Sequence, residues 1–288
     1  MGSEVVARAA PELLSYTIDA AIFCEGDTLQ RYLEDPAVRA RVRDLSPLVI
    51  RLGGTSEDFS QYSAGRRLPT LPGVPQGCNQ SATALTAISS FANATGVKVM
   101  FGLNGLLRDG AQPTRAWASD NAAALLRDDA SRARTQRMPP MFGYELGNEP
   151  HLWQMAGYGK NISATAHAAD WRQLRSLLSR EYRGLSPAPR LVGPDIWVPC
   201  LVHGEPDGPP NPGDAPVCDV SYLRGFLAAK PDLDIVTFHL VRLHQHKNLL
   251  PSCPLPDGHD WGDVPMMRLP RSRLLAAVPC HWVVRRGL

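Results

Sequence analysis

Short apolar runs recur along the chain, and longer amphipathic stretches separate them. The runs at 15–23, 47–52, 97–103, 142–146, 190–194 and 234–239 read as strands. The first breaks near Asp19, the second on Gly53-Gly54-Thr55, the third at Asn104 and the last at His239. The fourth ends in Gly147-Asn148-Glu149-Pro150, where the proline stops any further ladder. Between them, 31–45, 80–94, 118–137, 164–183 and 220–229 have helical character. Gly96 and Gly184 stand as stops, and Trp171, Leu174, Leu177 and Leu178 fall on one helical face.

Strand and helix thus alternate through about six units. That pattern predicts an α/β fold of parallel βαβ units, an incomplete (β/α)8 TIM barrel over 1–239 followed by an irregular tail, 240–288. A doubly wound sheet is the alternative, but no Gly-x-Gly-x-x-Gly follows any strand. In a barrel the site lies at the C-terminal strand ends. Asp19, Arg51, Thr55, Asn104, Asn148, Glu149 and His239 all fall near such ends. A Glu beside an Asn suits sugar chemistry: the acid can protonate a glycosidic oxygen and the amide can bond a hydroxyl. The plainer alternatives are a strand-end Glu in a salt bridge, and turn caps for Asp19 and Thr55.

Composition narrows the choice. A net charge of +2 over 288 residues does not suggest a nucleic-acid partner. No apolar run approaches the ~18 residues of a membrane span, and the first residues carry no apolar core of a signal peptide. Sequons at Asn79, Asn93 and Asn161 lean toward a secreted origin. None of the six cysteines forms a C-x-x-C pair, so no zinc ribbon is expected. Cys200 and Cys218 bracket a Pro/Gly loop; a disulfide and two free thiols both remain open. Arg66, Arg67, Arg127, Arg132, Arg134 and Arg137 could meet a sulfated sugar, or, for the last three, form a solvated helix face.

Six stretches also occur in a telling order: Ser15-Tyr16-Thr17-Ile18-Asp19-Ala20, Val49-Ile50-Arg51-Leu52-Gly53-Gly54-Thr55, Phe101-Gly102-Leu103-Asn104-Gly105-Leu106-Leu107-Arg108, Tyr144-Glu145-Leu146-Gly147-Asn148-Glu149-Pro150, Val192-Gly193-Pro194-Asp195 and Val236-Thr237-Phe238-His239. Together they resemble the heparanase family, glycoside hydrolase family 79. The resemblance implies a retaining β-glucuronidase-type enzyme without a cofactor or metal, acting on uronic-acid-containing polysaccharide or proteoglycan glycans. It implies Glu149 as the general acid/base, protonated at rest, with Asn148 on the sugar 2-hydroxyl. Asp19 and Thr55 would line the substrate subsite, Arg51 would face the nucleophile, and Asn104 and His239 would stand at their strand ends. It further implies a secreted, lysosomal or vacuolar protein, or one held at matrix or membrane surfaces through glycans.

The resemblance stops at His239. The family nucleophile is a Glu at the next strand end, and no Glu follows Glu205. The tail then reads as an altered frame, a retained intron or a splice form, with both outer strands left unpaired. Arg51 would face a site with no nucleophile carboxylate to pair with. Two weaker readings concern the tail: a zinc site from His239, His244, His246 and Cys253, and Asp257, Asp260 or Asp263 as a substitute nucleophile. Three functions follow: a glycosidase fragment with the acid/base half of the site, expected to be inactive in this form for want of the nucleophile Glu, a glycan-binding remnant, and a chain with no stable function.

Overall fold

The computed structural model describes residues 15–63, 78–109, 116–154, 157–158, 162–201, 217–218, 220–243 and 280–285. In chain order the elements are β1 (Ser15–Asp19), α1 (Thr28–Glu34), α2 (Pro36–Leu45), β2 (Val49–Gly53), β3 (Gln61–Tyr62), β4 (Asn79–Gln80), α3 (Ala82–Thr95), β5 (Lys98–Leu103), α4 (Asp120–Thr135), β6 (Gly143–Leu146), α5 (Ala164–Glu181), β7 (Arg190–Leu201), β8 (Val217–Cys218), α6 (Ser221–Ala228), β9 (Ile235–Leu243) and β10 (Cys280–Arg285). The sheet runs β1-β2-β5-β6-β7-β9-β10. The first six of these strands are mutually parallel and form a curled half-barrel, as the alternation of strand and helix predicts.

Local chemistry sets the boundaries. The segment expected as one helix over 31–45 is two, because Asp35 and Pro36 interrupt it. The Asp35 carboxylate accepts from the backbone N–H of Ala37 at 2.7 Å and Val38 at 3.2 Å, and Pro36 opens α2 where no N–H is needed. Ser81 caps α3 in the same way through Ala84 N–H, and Gly96 ends that helix in the left-handed region.

Period-2 alternation sorts the strand side chains into two layers. Ile50, Leu52, Val99, Phe101, Leu103, Tyr144, Leu146 and Leu191 join Leu85, Ile88, Leu125, Trp171 and Leu174 of the helices in the main core. The opposite, concave face carries Val49, Met100, Val192 and Ile235 at its base. The polar residues that alternate with the core set, Arg51 and Glu145 among them, therefore point into the concavity.

Three expectations change here. The strand expected to end at His239 continues to Leu243, since Leu240-Val241-Arg242-Leu243 keeps its ladder with Val198–Leu201 of β7. Its far edge is not left open: β10, rich in aromatic and β-branched residues, pairs antiparallel along it. The other outer strand, β1, pairs only with β2 among the described residues. Arg132, expected on a solvated face, is buried and paired with Asp128 and Asp129, whereas Arg134 and Arg137 are exposed.

Among the described residues a disulfide joins Cys24 to Cys78. It ties the turn after β1 to the start of β4. Cys200 and Cys218 are backbone partners across the β7–β8 ladder. Arg66, Arg67, Asn161, His244, His246, Cys253, Asp257, Asp260 and Asp263 lie outside the described residues.

Candidate active site

Arg51 is the hub of the concave face. It sits mid-β2 on the inward phase, and its side chain is 4% exposed. Its Nε donates to Glu145 Oε2 at 2.5 Å, and its Nη2 donates to Asp195 Oδ2 and to Asn148 Oδ1 at 3.2 Å. Glu57 Oε2 lies 3.7 Å from the same nitrogen. Arg51 therefore has three fully buried carboxylates around it, none of them at a position expected for the nucleophile.

Each partner arrives by a different local device. Glu145 is the inward residue of β6, between the core residues Tyr144 and Leu146. Glu57 comes from a 3-10 turn, Thr55–Phe59, that follows β2. It fits only because position 102 on β5 is glycine; a Cβ there would run into the Glu57 carboxylate. Asp195 is placed by a β-bulge. The β7–β9 register pairs Pro194 with Thr237 and Ile196 with Phe238, so Asp195 is the extra residue. Val192 faces in, Ile196 packs out against Leu223 of α6, and the bulge turns Asp195 inward with a positive φ of 55°.

His239 extends the cluster from β9. Its Nε2 lies 2.6 Å from Asp195 Oδ1 and its Nδ1 lies 2.6 Å from Glu149 Oε1. Glu149 follows β6 in the left-handed region at φ 49°, unusual for a residue with a side chain. Its backbone N–H donates to the Asp195 carbonyl at 2.9 Å, locking the β6 end to the β7 bulge. Of the four carboxylates joined through Arg51 and His239, Glu149 alone reaches solvent, at 27% side-chain exposure; Glu57, Glu145 and Asp195 are at 0%.

A second carboxylate organises the loops. Asp58 accepts from Gly105 N–H and Asn148 N–H, both at 2.9 Å, and from Trp153 Nε1–H at 3.2 Å. The loops after β2, β5 and β6 thereby share one anchor. Gly147, at φ 74°, supplies the turn that lets Asn148 present its N–H to it.

The protonation pattern follows from burial. Burial pushes Glu145 up to about 7, with Arg51 pulling it down and Asp195 pushing it up. Asp58 rises to about 7 for the same first reason, against its three N–H donors. Burial also lifts Glu57 well above the usual carboxylate range, despite Arg51. For Arg51 burial works downward, but Asp195, Glu145 and Glu57 outweigh it and hold the guanidinium charged. Burial likewise lowers His239, yet Asp195 and Glu149 carry it up to about 10.

The sequence-derived residues distribute as follows. Arg51, Asn148, Glu149 and His239 meet in one cluster. Asn104 is buried nearby, with its Oδ1 accepting from Leu106 and Leu107 N–H and its Nδ2 donating to the Ser60 carbonyl. Its polar ends are thus committed to loop structure. Asp19 and Thr55 are exposed at the ends of β1 and β2; Asp19 also caps the following turn through Ala21 N–H at 2.8 Å. Sequence reasoning missed Glu57, Asp58, Glu145 and Asp195 as site residues. A charged residue at an inward strand position was the available signal for Glu145.

Comparison with known proteins bears on the family of the chain. The description "Glycosyl hydrolase family 79, N-terminal domain" matches residues 20–199. Heparanase-like protein 3 of Arabidopsis thaliana is 31% identical over 176 residues, 56% of this chain and 31% of that protein. Heparanase of Mus musculus is 28% identical over 275 residues, 80% of this chain and 46% of that protein. Inactive heparanase-2 of Mus musculus is 32% identical over 121 residues, 41% of this chain and 18% of that protein. The chain spans less than half the length of each of these relatives. With the matched segment carrying the strands that build the Arg51 cluster and the Glu149 turn, the chain belongs to glycosyl hydrolase family 79 as a heparanase-like member.

Proposed function

We propose that the chain carries the acid/base half of a retaining β-glycosidase site for uronic-acid-containing glycans, with Glu149 as the acid/base. The observation that carries this reading is the contrast in exposure: Glu149 is the one carboxylate of the Arg51–His239 cluster that a substrate can touch. Its place beyond the C-terminal end of a parallel strand suits that role. Asn148 gives its Oδ1 to Arg51, so its amide NH2 is the group turned to a sugar hydroxyl. Asp19 and Thr55, exposed on neighbouring strand ends, would extend the subsite. No metal or cofactor enters this chemistry. The Cys24–Cys78 disulfide supports residence in an oxidising compartment, in line with a secreted or lysosomal route and with glycan attachment at the exposed Asn79.

A second reading, glycan binding without turnover, has its own support. A retaining mechanism needs two carboxylates about 5–5.5 Å apart, the second acting as nucleophile. Glu57, Glu145 and Asp195 are sealed around Arg51 and cannot serve. The names heparanase and inactive heparanase-2 among the relatives match the two readings.

Hydrolysis of an aryl β-glucuronide by the full chain decides between them. Turnover, with a second carboxylate supplied from elsewhere in the chain, supports the first reading, which then expects Glu149→Gln to lower it by about 10²–10⁴-fold. Turnover unchanged by that substitution refutes Glu149 as the acid/base. Retention of a uronic-acid oligosaccharide by a chain without turnover selects the second reading.

A further inference from the structure

The imidazole of His239 has a carboxylate oxygen 2.6 Å from each of its nitrogens, Glu149 at Nδ1 and Asp195 at Nε2. Two such hydrogen bonds need two protons. A neutral imidazole supplies one N–H and two carboxylates supply none. The three groups together therefore hold one proton beyond the neutral ring and its ionised neighbours.

Asp195 is the wrong place for that proton. Its other oxygen is bound by the Arg51 guanidinium, and the side chain is fully buried, so an ionised Asp195 is what Arg51 requires. Nε2–H then donates to Asp195, and the second proton lies on the line from Nδ1 to Glu149 Oε1. We infer that His239, held by Asp195, is the resting store of the proton that Glu149 delivers, and that His239 and Asp195 are positioning residues for the acid/base. The role of the proton as an acid in sugar cleavage rests on the proposed function; its location does not.

Other charged groups facing His239 are consistent with this. Arg51 opposes the extra positive charge from β2, while Glu145 on β6 favours it. Glu57 lies against the same Arg51 nitrogen that binds Asp195. On β10 the register partner is His281. The balance leaves the ring raised to about 10, because Asp195 and Glu149 outweigh burial and Arg51. In the reaction the proton passes from Nδ1 to Oε1 and then to the departing glycosidic oxygen. His239 is left neutral, with its Nε2–H still on Asp195.

The test is ¹⁵N NMR of the His239 ring in the full-length chain across pH 5 to 9. The expected result is a doubly protonated ring that persists past pH 8. In Asp195→Asn the pH of deprotonation falls by about one unit or more, since a charge partner is lost. A neutral His239 at pH 7 in the unsubstituted chain overturns the inference, whether or not the variant folds. So does a folded Asp195→Asn chain with unchanged His239 titration. A persistently protonated ring in a chain that hydrolyses no glucuronide upholds the proton's location and refutes only its catalytic use.

Discussion

Replacing Arg51 by methionine removes the cation from a set of buried acids while keeping most of the side-chain volume. Two contacts dominate, with Glu145 at 2.5 Å and with Asp195, and both acids are 0% exposed. At an effective dielectric near 20, each pair is worth about 4 kcal/mol gross at a 4 Å separation, so the two lose about 8 kcal/mol. Recovered hydration of the guanidinium and protonation of the stranded acids return part of this. The net cost expected for breaking such a buried pair is about 3–5 kcal/mol. Against a total stability of about 5–15 kcal/mol, that is about a fifth or more of what holds the chain folded. The corresponding fall in Tm is about 6–20 °C at roughly 2–4 °C per kcal/mol. The sign of the pH effect is also fixed. Without Arg51 the folded acids hold protons that an unfolded chain releases, so the deficit grows as pH rises. Thermal denaturation followed by circular dichroism at pH 5.5 and pH 8 measures both. A Tm loss under 2 °C at pH 8, or a deficit that does not change with pH, would refute the hub role of Arg51.

Two further outcomes follow from the same structure. In the unsubstituted chain, Glu145 and Asp58 are held up to about 7, so their stabilisation is present at acid pH and lost as pH climbs toward 7. His239, raised to about 10, loses its share as pH rises from about 6.5 toward that value. His167 opposes them: buried and pushed down to about 3, it stabilises above about 6.5 and costs stability below it. With these groups, and the likewise raised Glu57, against His167, the urea midpoint at pH 5.5 should exceed that at pH 8.5; the reverse order would show that these acids are not held protonated. Separately, the Cys24–Cys78 bond closes a loop of 54 residues, for which chain entropy gives about 4 kcal/mol. Replacing both cysteines by serine should lower the urea-derived stability by about 2–4 kcal/mol, and a double variant as stable as the parent would show the bond contributes nothing.

The strand series was legible because each strand pairs an apolar run with a polar end, and that rhythm survives in the sequence alone. Arg51 and Glu149 stood out for the same reason. The buried acids around them did not. Glu57 and Asp58 look like the surface acids of a turn, and only the inward winding of that turn buries them. Asp195 reads as facing the helices by strict alternation; the bulge that reverses it leaves no mark in residue type. Asp35-Pro36 was a visible helix break that the apolar periodicity around it masked. The β9–β10 pairing joins segments far apart in the chain, and the Cys24–Cys78 bond likewise spans a distance that spacing cannot decode.

The ion pair between Arg51 and Asp195 spans 144 residues, and the Glu149–His239 contact spans 90. Contacts of such separation close only after the chain between them has been ordered, because loop entropy must be overcome first. The cluster is therefore among the last features to assemble. No shorter piece beginning or ending inside that span can hold it, whereas protection of the Glu149 amide, bonded across to Asp195, reports only the docking of β7 beside β6, an earlier and more local event.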